Sequence, residues 1–137
     1  MTDDISAHDA LIYIMITMSA ADRNIEDIEL SKITEIVRHL PVFRNYNVNN
    51  LAKAAEACGN ILSGEDGLET MLELVADTLP KKLRETAYAL AVEVAASDLR
   101  VPDEEVRLLE LLKEALQLDK LVTAAIERSA RARYQTI

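Results

Sequence analysis

Apolar residues recur every three to four positions along nearly the whole of this chain, and no stretch alternates apolar with polar residues for more than a few positions. A period near 3.6 lines one face of an α-helix, whereas a half-buried strand needs a period of two. The pattern therefore points to an all-α fold. Half of the 137 residues are apolar, enough for a core, and three Gly and three Pro leave little material for a loop-rich β protein.

The periodicity predicts about seven helices. The first runs from about Ala7 to Ala21. Leu11, Ile14, Met15 and Met18 mark its buried stripe, and Ile12 and Ile16 widen it. A helix apolar nearly all round belongs at the centre of a bundle. The second runs from about Asp27 to Leu40, with Leu30, Ile33, Val37 and Leu40 as its seam, and Pro41 stops it. The third spans about Val48 to Leu62, with Asn47 or Asn49 as N-cap and Leu51, Ala55, Cys58 and Leu62 on one face. After a turn at Ser63–Gly67, the fourth covers about Leu68 to Thr78 and turns Leu68, Met71, Leu72 and Val75 inward. Pro80 is expected to open the fifth, which continues to about Ser97 with Ala87, Leu90, Ala91, Val94 and Ala95 on one side. The sixth spans about Pro102 to Leu116. The seventh spans about Asp119 to Arg133, with Leu121, Val122, Ala125, Ile126 and Ser129 in register. Short connections predict a single bundle over residues 1–137 in which consecutive helices are antiparallel neighbours.

Charge narrows the partners. Fifteen Lys and Arg oppose 24 Asp and Glu, a net charge of −9, which repels phosphate backbones and argues against nucleic-acid binding. The exception is Arg128, Arg131 and Arg133 beside Tyr134. It reads either as a solvated last helical turn or as a docking contact for an acidic partner or membrane headgroup. The start, Met1-Thr2-Asp3-Asp4, lacks the basic region of a secretory signal, and the longest apolar run, Ala10 to Met18, is about half of a membrane span. A soluble cytoplasmic protein is expected. The lone Cys58 excludes a disulfide framework within the chain and is expected to be a structural thiol. His8 and His39 are isolated and read as surface or cap residues. Met15, Met18 and Met71 read as core filling.

One feature rises above this background. Residues 16–40 align with residues 92–116 at an offset of 76. Ala20 meets Ala96, Asp22 meets Asp98, Ile25 meets Val101, Asp27 meets Asp103, Glu29 meets Glu105, Ile33 meets Leu109 and Leu40 meets Leu116. Each segment leaves a helix end rich in small residues, crosses a short turn and enters an acidic helix start, so the chain carries a duplicated helix–turn–helix. The first Asp of each turn can bond turn N–H groups, and acids in the first turn of the next helix complement its dipole. The spacing also matches the later part of an EF-hand loop. The early ligand positions, however, would be Met18 and Ala20 or Val94 and Ala96, and Arg23 or Leu99 would replace the turn glycine, so a working EF-hand is rejected. Two readings of the acids stay open. If the halves pair about a pseudo-two-fold axis, Asp22, Glu29, Asp98 and Glu105 converge, and their combined −4 charge calls for a hard divalent cation. Otherwise each acid caps its own helix and faces water. Glu93 is either a further acid for that site or a residue of the helix's solvated edge, paired with a base.

The segments Ala21-Asp22-Arg23-Asn24-Ile25 through Glu29, and Ser97-Asp98-Leu99-Arg100-Val101 through Glu105, resemble the repeated acidic motif of the TerB-like tellurite-resistance proteins. The same module resembles the N-terminal region of some membrane-anchored DnaJ-type co-chaperones. The resemblance spans about Ser6 to Arg133, with Arg23 and Leu99 standing where glycine commonly follows the motif Asp. It implies an all-α cytoplasmic protein of two related halves, acting in stress responses through protein partners, some of them membrane-associated, and not as an enzyme. It also suggests that Asp22, Glu29, Asp98 and Glu105 form one carboxylate cluster for Ca²⁺, Mg²⁺, Mn²⁺ or Zn²⁺. Tellurite itself is an anion and is disfavoured beside such a cluster, and a lone buried thiol offers no resolving partner for reductive chemistry. A pure interaction scaffold is the alternative. A metal-dependent enzyme is disfavoured, because no nucleophile, His base or phosphate cradle accompanies the acids.

Overall fold

The computed structural model describes residues 5–21, 30–97 and 103–137. Within them lie seven α-helices and no strand: α1 (Ala7–Ser19), α2 (Ser31–His39), α3 (Leu51–Leu62), α4 (Gly67–Thr78), α5 (Arg84–Ala96), α6 (Asp103–Leu116) and α7 (Lys120–Arg133). Local chemistry sets several of the ends. The Ser6 side chain accepts from the Asp9 amide to start α1, and Asp119 accepts from the Leu121 amide to start α7. Asn47 caps the 3₁₀ turn Val48–Asn50, which precedes α3 where the sequence suggested continuous helix. Pro80 likewise heads a 3₁₀ turn, Lys81–Leu83, and α5 proper begins at Arg84. The reason lies in the backbone: Leu79, held extended before proline, and Pro80 itself at ψ 151° cannot join a helix.

The centre of the bundle is α1. Every residue from Ala10 to Met18 is buried, as expected of a helix apolar on all sides. Its most extensive partner is α5, and α5 in turn packs broadly on α7, while α3 and α4 complete the shell around α1. α5 is buried over more of its circumference than one face, because Tyr88 and Val92 are buried along with Ala87, Ala91 and Ala95. The small side chains of α5 let α1 come close, and Tyr88 fills the space toward α6 and α7.

The expectation that consecutive helices neighbour one another holds for α3 with α4 and for α5 with α6, but it is not general. α2 meets the turn before α3 as much as it meets α1. α6 and α7 stand apart across a groove and reach each other through long side chains. The two hydrophobic hubs, α1 and α5, outcompete sequence neighbours for apolar surface. The register of α7 is also corrected. Its buried residues are Thr123 and Ala130, with Ile126 and Glu127 half-buried, whereas Leu121 is 78% exposed and Ala125 and Ser129 are exposed. One leucine at the start of the helix is outweighed by the rest of the stripe that α5 accepts.

Arg84 ties the far end of the bundle together. Its guanidinium donates to the Ala76 carbonyl near the end of α4 and to the Leu116 carbonyl at the end of α6 (3.3 and 3.1 Å). Helix C-termini carry unsatisfied carbonyls and partial negative charge, so one cation serves two helix ends.

The α3–α4 turn depends on a single glycine. A Cβ on Gly67 would lie 2.3 Å from the Leu62 carbonyl oxygen and 2.7 Å from that of Ile61, both backbone atoms that cannot swing away. At Gly64 the nearest atom would be 3.4 Å off, an ordinary contact. Gly67→Ala should therefore destabilise the protein by about 1–3 kcal/mol, a drop of several degrees in Tm, while Gly64→Ala leaves Tm nearly unchanged. Thermal unfolding of the two variants checks this, and equal Tm values would contradict it.

Candidate functional site

The repeat places its acids where helices end and begin. The last residues of α1 and the first turn of α6 come to one cleft of about 510 Å³, walled by Thr17, Ala20 and Ala21 on one side and by Glu104, Arg107 and Leu108 on the other. Gly59, Leu62 and Ser63 at the end of α3 close it. The residue before Asp22 and the residue before Glu105 thus wall the same cleft. Asp22, Glu29 and Asp98 themselves lie outside the described residues, as does the expected start of the second helix at Asp27.

Glu105 is described, and its position is informative. It is 5% exposed, the one Asp, Glu, Lys or Arg that is buried among the described residues. The buried positions of α6 are Glu105, Leu108, Leu112 and Leu116, so Glu105 continues the core-facing stripe at its N-terminal end. Asp103 and Glu104, in the same turn, are exposed and suit the ordinary role of acids at a helix start. The water-facing reading therefore fits them and not Glu105. A carboxylate is kept at such a position only when other groups or a cation compensate its lost hydration. Among the described residues, no three His, Cys, Asp or Glu side chains gather into a group that could hold a metal ion.

Glu93 takes the paired reading. Its carboxylate accepts from the Tyr134 hydroxyl and from Arg133 Nη2, and Lys32 Nζ donates to the same hydroxyl at 3.2 Å. Arg133 also bonds the Ser129 hydroxyl. The last turn of α7 is thereby fastened across α5 to the first turn of α2. Of the three C-terminal arginines, Arg133 is spent in this fastening.

A second polar group, not foreseen from the sequence, sits at one end of the α5–α6–α7 groove. The buried Tyr88 donates its hydroxyl to Glu127, and Lys113 bridges Glu127 and Glu110 at 3.0 and 3.1 Å. Burial pushes the Tyr88 hydroxyl up, and the bond to Glu127 pushes it further. The signal available in the sequence was a lone tyrosine in an alanine-rich helix, which names no partner. The remaining candidates behave as structural groups. Cys58 is fully buried, 3.7 Å from Thr17 Oγ1 and from the Tyr13 carbonyl, and burial pushes its thiol to about 12 despite the Thr17 contact, so it is not a nucleophile. His8 donates from Nε2 to the Val42 carbonyl and packs against Phe43 and Tyr46, while His39 bonds the Glu35 carbonyl within α2.

The two paired carboxylates make a pH prediction. Burial alone would raise Glu93, but its bonds from Tyr134 and Arg133 and the charges of Arg133 and Lys32 outweigh it and hold the carboxyl below the ordinary range. Glu127 is lowered in the same way: burial is opposed by Tyr88 and Lys113. A carboxyl depressed in the folded state contributes stability at neutral pH, and that contribution is lost as pH falls through the depressed value. Glu93→Gln/Glu127→Gln should lower Tm by a few degrees at pH 7, each partly exposed pair contributing about 1 kcal/mol or less, and should lose less stability than wild type on acidification. Parallel Tm profiles between neutral and acid pH would contradict it.

Comparison with known proteins places these features. The family model described as Tellurite resistance protein TerB matches residues 8–128, a span that contains both acidic turns. Searches of curated proteins and of solved structures return no match. With seven helices among its described residues, a duplicated acidic motif in its sequence and a family match over most of its length, the chain belongs to the TerB tellurite-resistance family.

Proposed function

We propose that this TerB-family protein is a non-enzymatic module of the tellurite-resistance type that binds a divalent cation between its two acidic turns and acts in a stress response through a protein partner. The observation that supports the cation reading most is the shared cleft: Ala20 and Ala21, which lead into the first acidic turn, and Glu104, at the start of the helix after the second, wall it together. Asp22, Glu29, Asp98 and Glu105 are the residues that would hold the ion. Four carboxylates are hard oxygen donors, a set that suits Ca²⁺, Mg²⁺ or Mn²⁺ better than Zn²⁺, which favours nitrogen and sulfur. A bound cation would supply charge neutralisation and so couple the two halves of the chain. The protein's role would then be recognition, with the ion fixing the acidic end of the bundle in the form a partner reads.

The test is thermal unfolding of metal-stripped protein with each of the four cations, beside a Glu29→Ala/Glu105→Ala variant. An ion at 100 times its Kd stabilises the fold by about 2.7 kcal/mol, several degrees at this size. A selective rise in wild type that disappears in the variant is expected. No rise in wild type would retire the cation and leave the pure interaction scaffold.

A further inference from the structure

We propose that α2 is a movable arm of the bundle, and that the last turn of α7 latches it in place through Tyr134. The inference goes beyond the cation site and stands whether or not the acidic turns hold an ion. It starts from the repeat. At the offset of 76, α1 and α6 correspond to α5 and α2, so the seam between α1 and α6 has its counterpart between α5 and α2. In the first seam Ile14, Thr17, Leu108 and Leu112 are all buried and line one small apolar cavity. Their counterparts are Leu90, Glu93, Lys32 and Ile36. Of these only Leu90 is buried, and all four line an open groove of about 540 Å³. Apolar packing seals one seam, whereas the other is open and polar.

α2 is also poorly equipped to stand alone. It has nine residues, fewer than an isolated helix needs in water. Leu30 at its N-cap offers no side-chain oxygen, and the first turn contains no acid. That turn carries Lys32 instead, a cation at the positive end of the helix dipole. α6 packs on both α4 and α5, whereas α2 meets chiefly α1 and the 3₁₀ turns at Pro41–Phe43 and Val48–Asn50 that follow it. A short helix with few buried side chains is the kind of element that opens before the rest of a fold.

The latch joins the two walls of the groove. Lys32 Nζ donates to the Tyr134 hydroxyl at 3.2 Å and lies 5.8 Å from the centre of its ring. The hydroxyl in turn donates to Glu93, which Arg133 also holds. The Glu93 carboxylate thus answers the charge of Lys32 through Tyr134, and a contact between residues 102 apart secures the first turn of α2. Glu29 stands two residues before that turn, so the arm is also the helix that follows the first acidic segment. A partner that engaged Tyr134 would release the arm from the far end of the sequence.

Amide hydrogen exchange on the full chain at neutral pH, without added cation, reads the arm directly. In wild type the amides of α2 should exchange faster than those of α1 and α6. Tyr134→Phe keeps the ring and removes the hydroxyl. It should speed exchange in α2 roughly fivefold, the worth of one partly exposed hydrogen bond to a charged group, and leave α1 and α6 unchanged. In a Lys32→Leu background the same substitution should not alter α2, because the hydroxyl has lost its hold there. The proposal is overturned by α2 amides as slow as those of α1 in wild type, by α2 exchange indifferent to Tyr134→Phe, or by an equal effect of Tyr134→Phe in the Lys32→Leu background.

Discussion

The packing of α1 against α5 is the constraint from which the rest of this structure follows. These two helices occupy equivalent places in the duplicated sequence, and they form the broadest contact in the bundle. Both are buried over most of their circumference, with Leu11 and Ala87, Ile12 and Tyr88, and Met15 and Ala91 each inaccessible to solvent in pairs set 76 apart. Each is the helix that leads into an acidic turn. Their packing ties together at the core the two helices that lead into the acidic turns.

The halves are nonetheless not copies in how they bury their second helix. α2 turns Ile33 and Val37 to the core, whereas α6 buries Leu108, Leu112 and Leu116. The repeat equivalents of Ile33 and Val37 are Leu109 and Lys113, and neither is fully buried. The inward face has moved by one residue, about 100° around the helix. Charges decide which face wins. Lys32, the counterpart of Leu108, is engaged with Tyr134, and Lys113 is engaged with Glu110 and Glu127. The rotation brings Glu105 onto the buried stripe of α6 and opens the groove that Tyr88 and Glu127 close at one end. Duplication supplied a symmetric plan, and two lysines broke the symmetry.

Much of the fold was legible because helical periodicity is a local signal. The number and order of the helices, the central position of α1 and the inert Cys58 all follow from spacing and composition. What was not legible depends on competition between distant surfaces. The sequence of α7 offers Leu121 and Val122 as readily as Thr123 and Ala130 for the inner face, and only the shape of α5 decides. The neighbour order fails for a similar reason: α1 and α5 draw partners by their apolar area and not by chain proximity. Of the candidate site, the repeat offers four acids as candidates, three of which lie outside the described residues. The burial of Glu105 could not be read from a capping pattern, since Asp103, Glu104 and Glu105 look alike in sequence and differ only by which side of α6 they face.

The central claim is that the two acidic turns act as one site. Paramagnetic broadening by Mn²⁺ in the amide spectrum of the labelled protein tests it most directly. Ala21, which precedes the first turn, and Ser97, which precedes the second, should broaden together at low Mn²⁺, and excess Mg²⁺ or Ca²⁺ should reverse both. Broadening confined to one of the two residues, or absent from both, would contradict a site shared by the two halves.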